Sequence, residues 1–203
     1  MEEGDTFMEL SLLEKQFIET QVSALLTQYG YNPEKDTYVD IISFAKKFGF
    51  LVGNAVLDEQ EDGFIIIHPK NANSHKQTTR SPMASERKII GVNMNRSLEW
   101  KRFVIAHEFA HSVLHYKQED IYLHRETTRG RSQEENDADY FAAALLMPQN
   151  SFRRIYNELV TQGLNKNTIC YQLASMYKVP FESVSRRIDE VCVTKEKKSS
   201  VDA

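Results

Sequence analysis

A histidine, a glutamate and a second histidine lie within one short apolar segment of this chain, RFVIAHEFAHSVLHY (residues 102–116). His107 and His111 are four residues apart, which on an α-helix places both side chains on one face, with Cβ atoms about 5–6 Å apart. Each imidazole can then give one ring nitrogen to a zinc ion at about 2.0–2.1 Å. Glu108 projects about 100° round the helix from His107. The pattern therefore predicts a zinc site with Glu108 beside the metal.

The chemistry predicted by this arrangement is hydrolysis of a peptide bond. Zinc acidifies a water and polarises a carbonyl, and a neighbouring carboxylate passes the water's proton to the leaving amine. We interpret Glu108 as that catalytic base. Histidines at this spacing also occur in ordinary helices, but two histidines and a glutamate among apolar residues cost stability unless each has a partner. The zinc interpretation is therefore favoured over a plain buried helix.

A catalytic zinc site needs a third protein ligand, and the segment EENDADYFAAALLMP offers carboxylates at helical spacing. We expect Glu135 to bind the metal, because small alanines beside it would let this helix approach the first one closely. Asp139, one turn further, could accept the spare ring N–H of a ligand histidine. One alternative stays open. Glu135 could form a capping box with Ser132, and Glu134 would then be the ligand.

Other side chains could support the predicted site. His115 lies two turns after His107 on the same helix and would point off the metal, so we expect it to pack or to support a ligand. Hydrolysis also needs a donor to the carbonyl oxygen as it becomes negatively charged. Tyr140, His124 and Tyr122 are the candidates, and the sequence does not choose among them.

The surrounding pattern predicts an α+β fold. Apolar positions at helical spacing predict two N-terminal helices that stop at Gly30 and Gly49. FLVGNAVL, GFIIIHP and KIIGVNMN are short β-rich runs bounded by turn residues, and they predict three strands. The polar segment 69–87 between the last two is long for a compact domain, so we expect a mobile or functional loop.

From Ser97 onward the pattern is helical, apart from a polar connection, KQEDIYLHRETTRGRSQ. Helices followed by a small sheet and then further helices are typical of the α+β class. The expected organisation is an N-terminal helix (1–30), a metal-binding domain (31–150), a C-terminal helical region (151–192) and a disordered tail (193–203).

Composition restricts the class of protein. The 203 residues are 41% hydrophobic and 27% charged with a net charge of -4, which is typical of a globular protein without an evident nucleic-acid surface. The opening segment MEEGDTFMEL is acidic, unlike a signal peptide, and no apolar run approaches the roughly 20 residues of a membrane span. Cys170 and Cys192 are too few for a disulfide framework. We expect a cytoplasmic protein with no membrane partner.

The segment YQLASMYKVPFESVSRRI has the outline of a helix-turn-helix. Arg186 and Arg187 are expected on the exposed face of its second helix, where arginines can contact phosphates or base edges. The negative net charge and the scarcity of clustered basic residues favour helices that simply close the bundle. The alternative function is therefore a non-proteolytic regulator that binds DNA or a protein partner through these helices.

These residues together resemble the ImmA/IrrE family of zinc metallopeptidases. The resemblance covers about residues 39–150 and rests on VDIISFAKKFGFLV, IIGVNMNRSLEWKRFVIAHEFAHSVLHY and ENDADYFAAALLMP. It implies a minimal zincin-like fold, in which a small three-stranded sheet packs on a helical bundle, with the gluzincin type of site. In that site His107, His111 and Glu135 bind Zn²⁺, and Glu108 is the base.

The resemblance also implies a function. Known members act inside bacterial cells, often beside mobile-element or stress regulons, and cleave a helix-turn-helix repressor to relieve repression. We therefore expect a zinc endopeptidase with a specific protein substrate, held as an added strand along KIIGVNMN or GFIIIHP. Two features depart from the family: Asp139 stands where asparagine is frequent, and the segment 69–87 is extended.

Overall fold

A computed structural model of the chain describes residues 10–68, 87–116, 122–127 and 132–192. Seven helices and four strands lie in these ranges. In chain order they are α1 (Leu12–Tyr29), α2 (Ile41–Lys47), β1 (Phe50–Ala55), β2 (Glu61–His68), β3 (Arg87–Asn93), α3 (Leu98–Leu114), β4 (Tyr122–Thr127), α4 (Gln133–Leu146), α5 (Gln149–Thr161), α6 (Lys166–Tyr177) and α7 (Phe181–Val191).

The strands form one mixed sheet in the order β1-β3-β2-β4. β1 runs parallel to β3, and β2 runs antiparallel to both β3 and β4. The α+β class, with a small sheet packed on helices, is confirmed. The sheet has four strands and not three, because β4 lies in the segment after α3 that we predicted to be a polar connection.

The two strands that we proposed as alternative edges for the substrate both lie inside the sheet. β3, which contains most of KIIGVNMN, lies between β1 and β2, and β2 lies between β3 and β4. The prediction that either strand could take up a substrate along an open edge is therefore wrong. Among the described strands the edges are β1 and β4, and β4 carries His124.

Helix α3 holds the two histidines of the opening pattern in a buried position. The Ser97 hydroxyl caps its start by accepting the Trp100 N–H at 3.2 Å. Every residue from 104 to 111 is buried, because the helix packs against both the sheet and α4. The Phe109 ring contacts Phe44 and Phe50, with ring centroids 5.2 and 5.3 Å apart. These aromatic contacts fix how far α3 is rotated about its own axis.

The sheet approaches α3 closely because β2 has a glycine at the point of contact. A Cβ atom on Gly63 would overlap the Val104 side chain and come within 2.9 Å of the Gly91 carbonyl oxygen. The same atom would lie 3.5 Å from Oε1 of Glu108. Gly63 therefore lets β2 pass directly beside the glutamate.

Helix α4 packs against α3 through small side chains. The four alanines at 138 and 142–144 are buried, so the two backbones can come close together. The Ser132 hydroxyl accepts the Glu135 N–H at 3.2 Å and so sets where the helix begins. This close packing brings the first turns of α4 against the histidine face of α3.

The C-terminal helices join the bundle through a buried arginine. Arg187 of α7 is completely buried, lies 2.7 Å from Oε1 of Glu19 in α1, and donates from Nε to the Met147 carbonyl at 3.2 Å. The prediction that Arg187 faces outward is therefore wrong. Arg186 is half-exposed, and its Nη1 atom lies 3.8 Å from Oδ2 of Asp139.

Several predictions fall outside the part of the chain that the structure describes. Residues 69–86 of the predicted loop and the predicted tail, 193–203, are among them, whereas Arg87 begins β3. The described helices include none with the length and apolar character needed to cross a bilayer.

Candidate metal centre

Three potential metal ligands come together between α3 and α4. The Nε2 atoms of His107 and His111 are 3.1 Å apart. The Glu135 carboxylate lies 3.1 Å from Nε2 of His107 through Oε2, and 3.5 Å from Nε2 of His111 through Oε1. These three residues form the one group of histidine, cysteine or acidic side chains in the described residues that could hold a metal ion.

The separations match the edges of a tetrahedron around zinc. Ligands at about 2.0–2.1 Å from a tetrahedral ion lie about 3.3–3.4 Å from one another. The distances of 3.1, 3.1 and 3.5 Å lie close to that value. Two nitrogens and one carboxylate, with a fourth position left for water or substrate, are also a donor set that catalytic zinc sites use. The residues present therefore fit a zinc ion.

Glu135 takes part in helix capping and in this group at once. Its backbone N–H is bound by Ser132, while its side-chain carboxylate faces the two histidines. The two roles that the sequence left as alternatives therefore do not compete. Glu134, the other candidate ligand, is not part of the group among the described residues.

The electrostatic environment sets the protonation states that a cation requires. Burial, together with the charges of His107 and His124, lowers the pKa of His111 to about 2. Burial raises the pKa of Glu135, but hydrogen bonds with His107 and His124 outweigh it and hold the pKa well below its usual range. At neutral pH the site thus offers a neutral imidazole and an ionised carboxylate.

Each histidine of the group has a partner for its second ring nitrogen. Nδ1 of His107 lies 3.0 Å from Oδ1 of Asp139, the residue that we expected in this position. Nδ1 of His111 lies 3.0 Å from Nδ1 of His115, which we expected to pack or to support a ligand. Burial also lowers the pKa of His115, which favours the neutral ring. Such contacts fix the direction in which an imidazole faces a metal.

Glu108 lies beside the three-residue group, completely buried. Its Oε2 atom is 3.4 Å from Nδ1 of His124, and its Oε1 atom has no hydrogen-bond partner among the described atoms. Burial raises the pKa of Glu108, and the hydrogen bond with His124 and the charge of His107 only partly oppose this. A carboxylate with a raised pKa and an unused oxygen can both accept and release a proton.

His124 of β4 reaches the same site from the sheet. Nε2 of its ring lies 2.8 Å from Oε1 of Glu135, and the ring stacks on His111 with centroids 3.7 Å apart. Burial lowers the pKa of His124, but hydrogen bonds with Glu108 and Glu135 and their charges outweigh burial and raise it to about 9. Of the three candidate donors, His124 is the one whose described side chain contacts these carboxylates.

The two tyrosines that were candidate donors to the carbonyl oxygen have no described contact with these carboxylates. The Tyr140 hydroxyl donates to Oε1 of Glu19 in α1 at 3.1 Å, so it serves the contact between α1 and α4. Tyr122 belongs to β4, but its side chain lies outside the described part of the structure. The run YLHRET does not alternate between apolar and polar residues, so it offered little indication of β4 or of His124 on a sheet.

Comparison with known proteins identifies a family and finds distant similarity to solved structures. The Peptidase_M78 family model, described as an IrrE N-terminal-like domain, matches residues 64–189, which is more than half of the chain. A solved structure, a Mycobacterium tuberculosis transcriptional regulator, is similar with 16% identity and a TM-score of 0.47. That match covers 86% of this chain and 46% of the other, so this chain spans about half the length of that protein. No curated protein sequence matches.

Proposed function

This chain belongs to the IrrE N-terminal-like peptidase family, and from that premise we propose that it is a zinc-dependent endopeptidase. The observation that carries the proposal is the convergence of three ligands: Nε2 of His107 and Nε2 of His111 lie 3.1 Å apart, and the Glu135 carboxylate lies 3.1 and 3.5 Å from them through its two oxygens. Zinc, when bound there, supplies the Lewis acidity that activates a water and the peptide carbonyl.

Glu108 is the catalytic base in this proposal. Its carboxylate accepts the proton of the attacking water and later delivers it to the nitrogen of the leaving amine, so no proton is gained or lost over the cycle. Burial, which raises its pKa, helps the glutamate keep the proton between the two transfers. The unpaired Oε1 atom leaves one oxygen available to the water.

His124 is the proposed donor to the carbonyl oxygen as negative charge develops on it. Both ring nitrogens of His124 contact carboxylates, Nε2 with Glu135 at 2.8 Å and Nδ1 with Glu108 at the longer distance of 3.4 Å. In this proposal the Nδ1–H leaves its weaker contact with Glu108 and donates to the carbonyl oxygen. His124 also belongs to β4, an edge strand among the described strands. An extended substrate segment added along β4 would place its backbone next to the site.

The substrate that we propose is a specific helix-turn-helix repressor in the bacterial cytoplasm, whose cleavage relieves repression. Family membership supports a protein substrate. The repressor follows from the resemblance of the motifs around His107 and Glu135 to ImmA/IrrE peptidases. A gene for a small helix-turn-helix protein beside the gene for this chain would nominate the substrate directly.

The alternative of DNA binding through the C-terminal helices is weakened by the fold. Arg187, one of its two proposed contacts, is buried against Glu19. The exposed residues of α7 include Glu182, Arg186 and Asp189, so carboxylates outnumber the guanidinium on that surface. Such a surface repels the phosphate backbone more than it attracts it.

The test compares the rates at which the zinc-loaded chain and its Glu108→Gln variant cleave the helix-turn-helix protein encoded by the neighbouring gene. We expect the variant to bind zinc normally and to cleave about 10²–10⁴-fold more slowly. Glu134→Gln, on a carboxylate outside the metal group, is the matched control and should cleave at the normal rate. Full activity of Glu108→Gln, or a wild-type chain that binds no zinc, would overturn the proposal.

A further inference from the structure

The two histidines of the metal group are supported by different kinds of partner. Asp139, a carboxylate, faces Nδ1 of His107 at 3.0 Å. For His111 the partner is another imidazole, because Nδ1 of His115 lies 3.0 Å from its own Nδ1. The side chain of His111 is fully buried and that of His115 is 10% exposed, so water competes little for this contact.

Two ring nitrogens at this distance share one hydrogen. Binding of a cation to Nε2 of His111 would determine which of the two nitrogens carries it. A histidine that binds a cation through Nε2 keeps its proton on Nδ1. Nδ1 of His111 must therefore donate, and Nδ1 of His115 must accept through its lone pair. His115 is then a neutral ring whose only proton sits on Nε2.

That remaining N–H of His115 faces an acidic residue of α4. Its Nε2 atom lies 3.7 Å from Oδ2 of Asp137, an electrostatic contact beyond hydrogen-bond distance, and makes no hydrogen bond among the described atoms. The Asp137 side chain is itself held by Gln133, whose Nε2 donates to Oδ1 at 3.0 Å. A carboxylate on this side favours the ring with hydrogen on Nε2. The chain of contacts thus runs from α4 through His115 to His111.

We propose that His115 is a positioning residue that accepts the Nδ1–H of His111 and holds it for the metal, with Asp137 selecting the required tautomer of His115. The proposal rests on the proposed function, since it assumes that His111 binds zinc. Helix α4 then supports both imidazoles, directly at His107 through Asp139 and indirectly at His111 through Asp137.

The experiment measures zinc affinity of the full chain by competition with a chromophoric chelator. His115→Phe keeps a ring but removes the acceptor, and we expect zinc affinity to fall about 10–100-fold. His115→Asn restores an acceptor near the former Nδ1. Its zinc affinity should therefore lie within about threefold of wild type, a much smaller loss than that of His115→Phe. His68→Phe, the same change at an exposed histidine, is the matched control and should leave affinity unchanged.

Equal losses in His115→Phe and His115→Asn would show that the residue only fills space, and would overturn the inference. Wild-type affinity in His115→Phe would overturn it as well. A wild-type chain that binds no zinc would instead mark failure of the proposed function, so the two failures are distinguishable.

A double-mutant cycle tests the part played by Asp137. Asp137→Ala should weaken zinc binding in the wild-type background and have no further effect in His115→Phe, because it acts through that ring. Additive losses would show that Asp137 acts independently of His115, which would overturn its part in the proposal.

Nitrogen NMR of the zinc-loaded wild-type chain tests the tautomer without any substitution. We expect the spectrum to show the His115 proton on Nε2. A proton on Nδ1 would overturn the assignment.

Discussion

The carboxylate of Asp139 lies 3.0 Å from Nδ1 of His107, one helical turn after the carboxylate of Glu135 that faces Nε2 of the same ring. One helix therefore contacts both nitrogens of a single histidine. Asp139→Ala should weaken zinc binding about 10–100-fold, because the ring loses the contact that fixes its orientation.

Asp139→Asn is the informative companion to that change. Its amide oxygen can still accept the Nδ1–H of His107, so the loss should be smaller than for alanine. Zinc competition measures both variants, with Glu134→Ala as the control on the same helix. Equal affinity of Asp139→Ala and wild type would contradict an orienting role.

Removal of the donors of His124 should lower turnover even when the site is fully loaded with zinc. His124→Phe keeps a ring to stack on His111 but has no N–H to offer the carbonyl oxygen. We expect kcat to fall about 10²–10³-fold with little change in KM. The measurement is steady-state cleavage of the helix-turn-helix substrate at matched zinc content. His124→Gln, which keeps a donor, should recover part of the rate, and an unaltered kcat in His124→Phe would exclude this role.

The two adjacent arginines of α7 should differ sharply in their effect on stability. Arg187→Ala leaves Glu19 without its buried partner, which costs about 3–5 kcal/mol of unfolding free energy. Arg186 is half-exposed and its ion pairs are long, so Arg186→Ala should cost no more than about 1 kcal/mol. Urea unfolding measures both variants. Similar stabilities would show that Arg187 is not buried as described.

Gly63 should tolerate no side chain, whereas Gly53 in the same sheet should. A Cβ on Gly63 overlaps Val104, so Gly63→Ala forces β2 and α3 apart and should cost about 1–3 kcal/mol. A Cβ on Gly53 of β1 meets no atom within 4 Å, so Gly53→Ala is the matched control. Thermal unfolding compares them, and an unchanged melting temperature for Gly63→Ala would contradict the close approach of β2 to α3.

The thiol of Cys192 should react slowly near neutral pH. Burial raises its pKa to about 11, although Arg153 and Arg187 oppose this. At pH 8 about 0.1% of the folded chain would then carry the reactive thiolate, so labelling should quicken about tenfold per pH unit up to the pKa. The assay is disulfide-reagent labelling of the folded Cys170→Ser variant, with the unfolded chain as control. A labelling midpoint at pH 9 or below would contradict the raised pKa.

The relation of sequence to structure differs between local and distant features of the site. His107, Glu108 and His111 share one helix, so their spacing alone predicted which side chains meet on one face. Pairing across the sheet is not local in this sense, and neither of the two strands proposed as an edge for the substrate lies at an edge. The short strand β4 lies within a largely polar segment, so the sequence predicted a connection there and not a strand.

Charged and polar side chains were the hardest to place from the sequence. Arg187 was expected in solvent because an isolated guanidinium favours water, yet Glu19 arrives from a helix more than 160 residues earlier and makes burial possible. Tyr140 follows Asp139 directly, but the helix turns it toward α1 and Glu19. Such partners are far apart in sequence, so only packing reveals them.

The amino-acid sequence by itself determined the helix that carries two imidazoles and a glutamate, the later helix with its carboxylates, and the α+β class. These follow from the 3.6-residue period and from capping residues, which act over a few positions. Tertiary structure alone decided that Glu135 faces both histidines, that His124 joins them from a fourth strand, and that His115 and Asp139 support the rings. Those contacts depend on how closely α3, α4 and the sheet pack, and packing is a property of the whole chain.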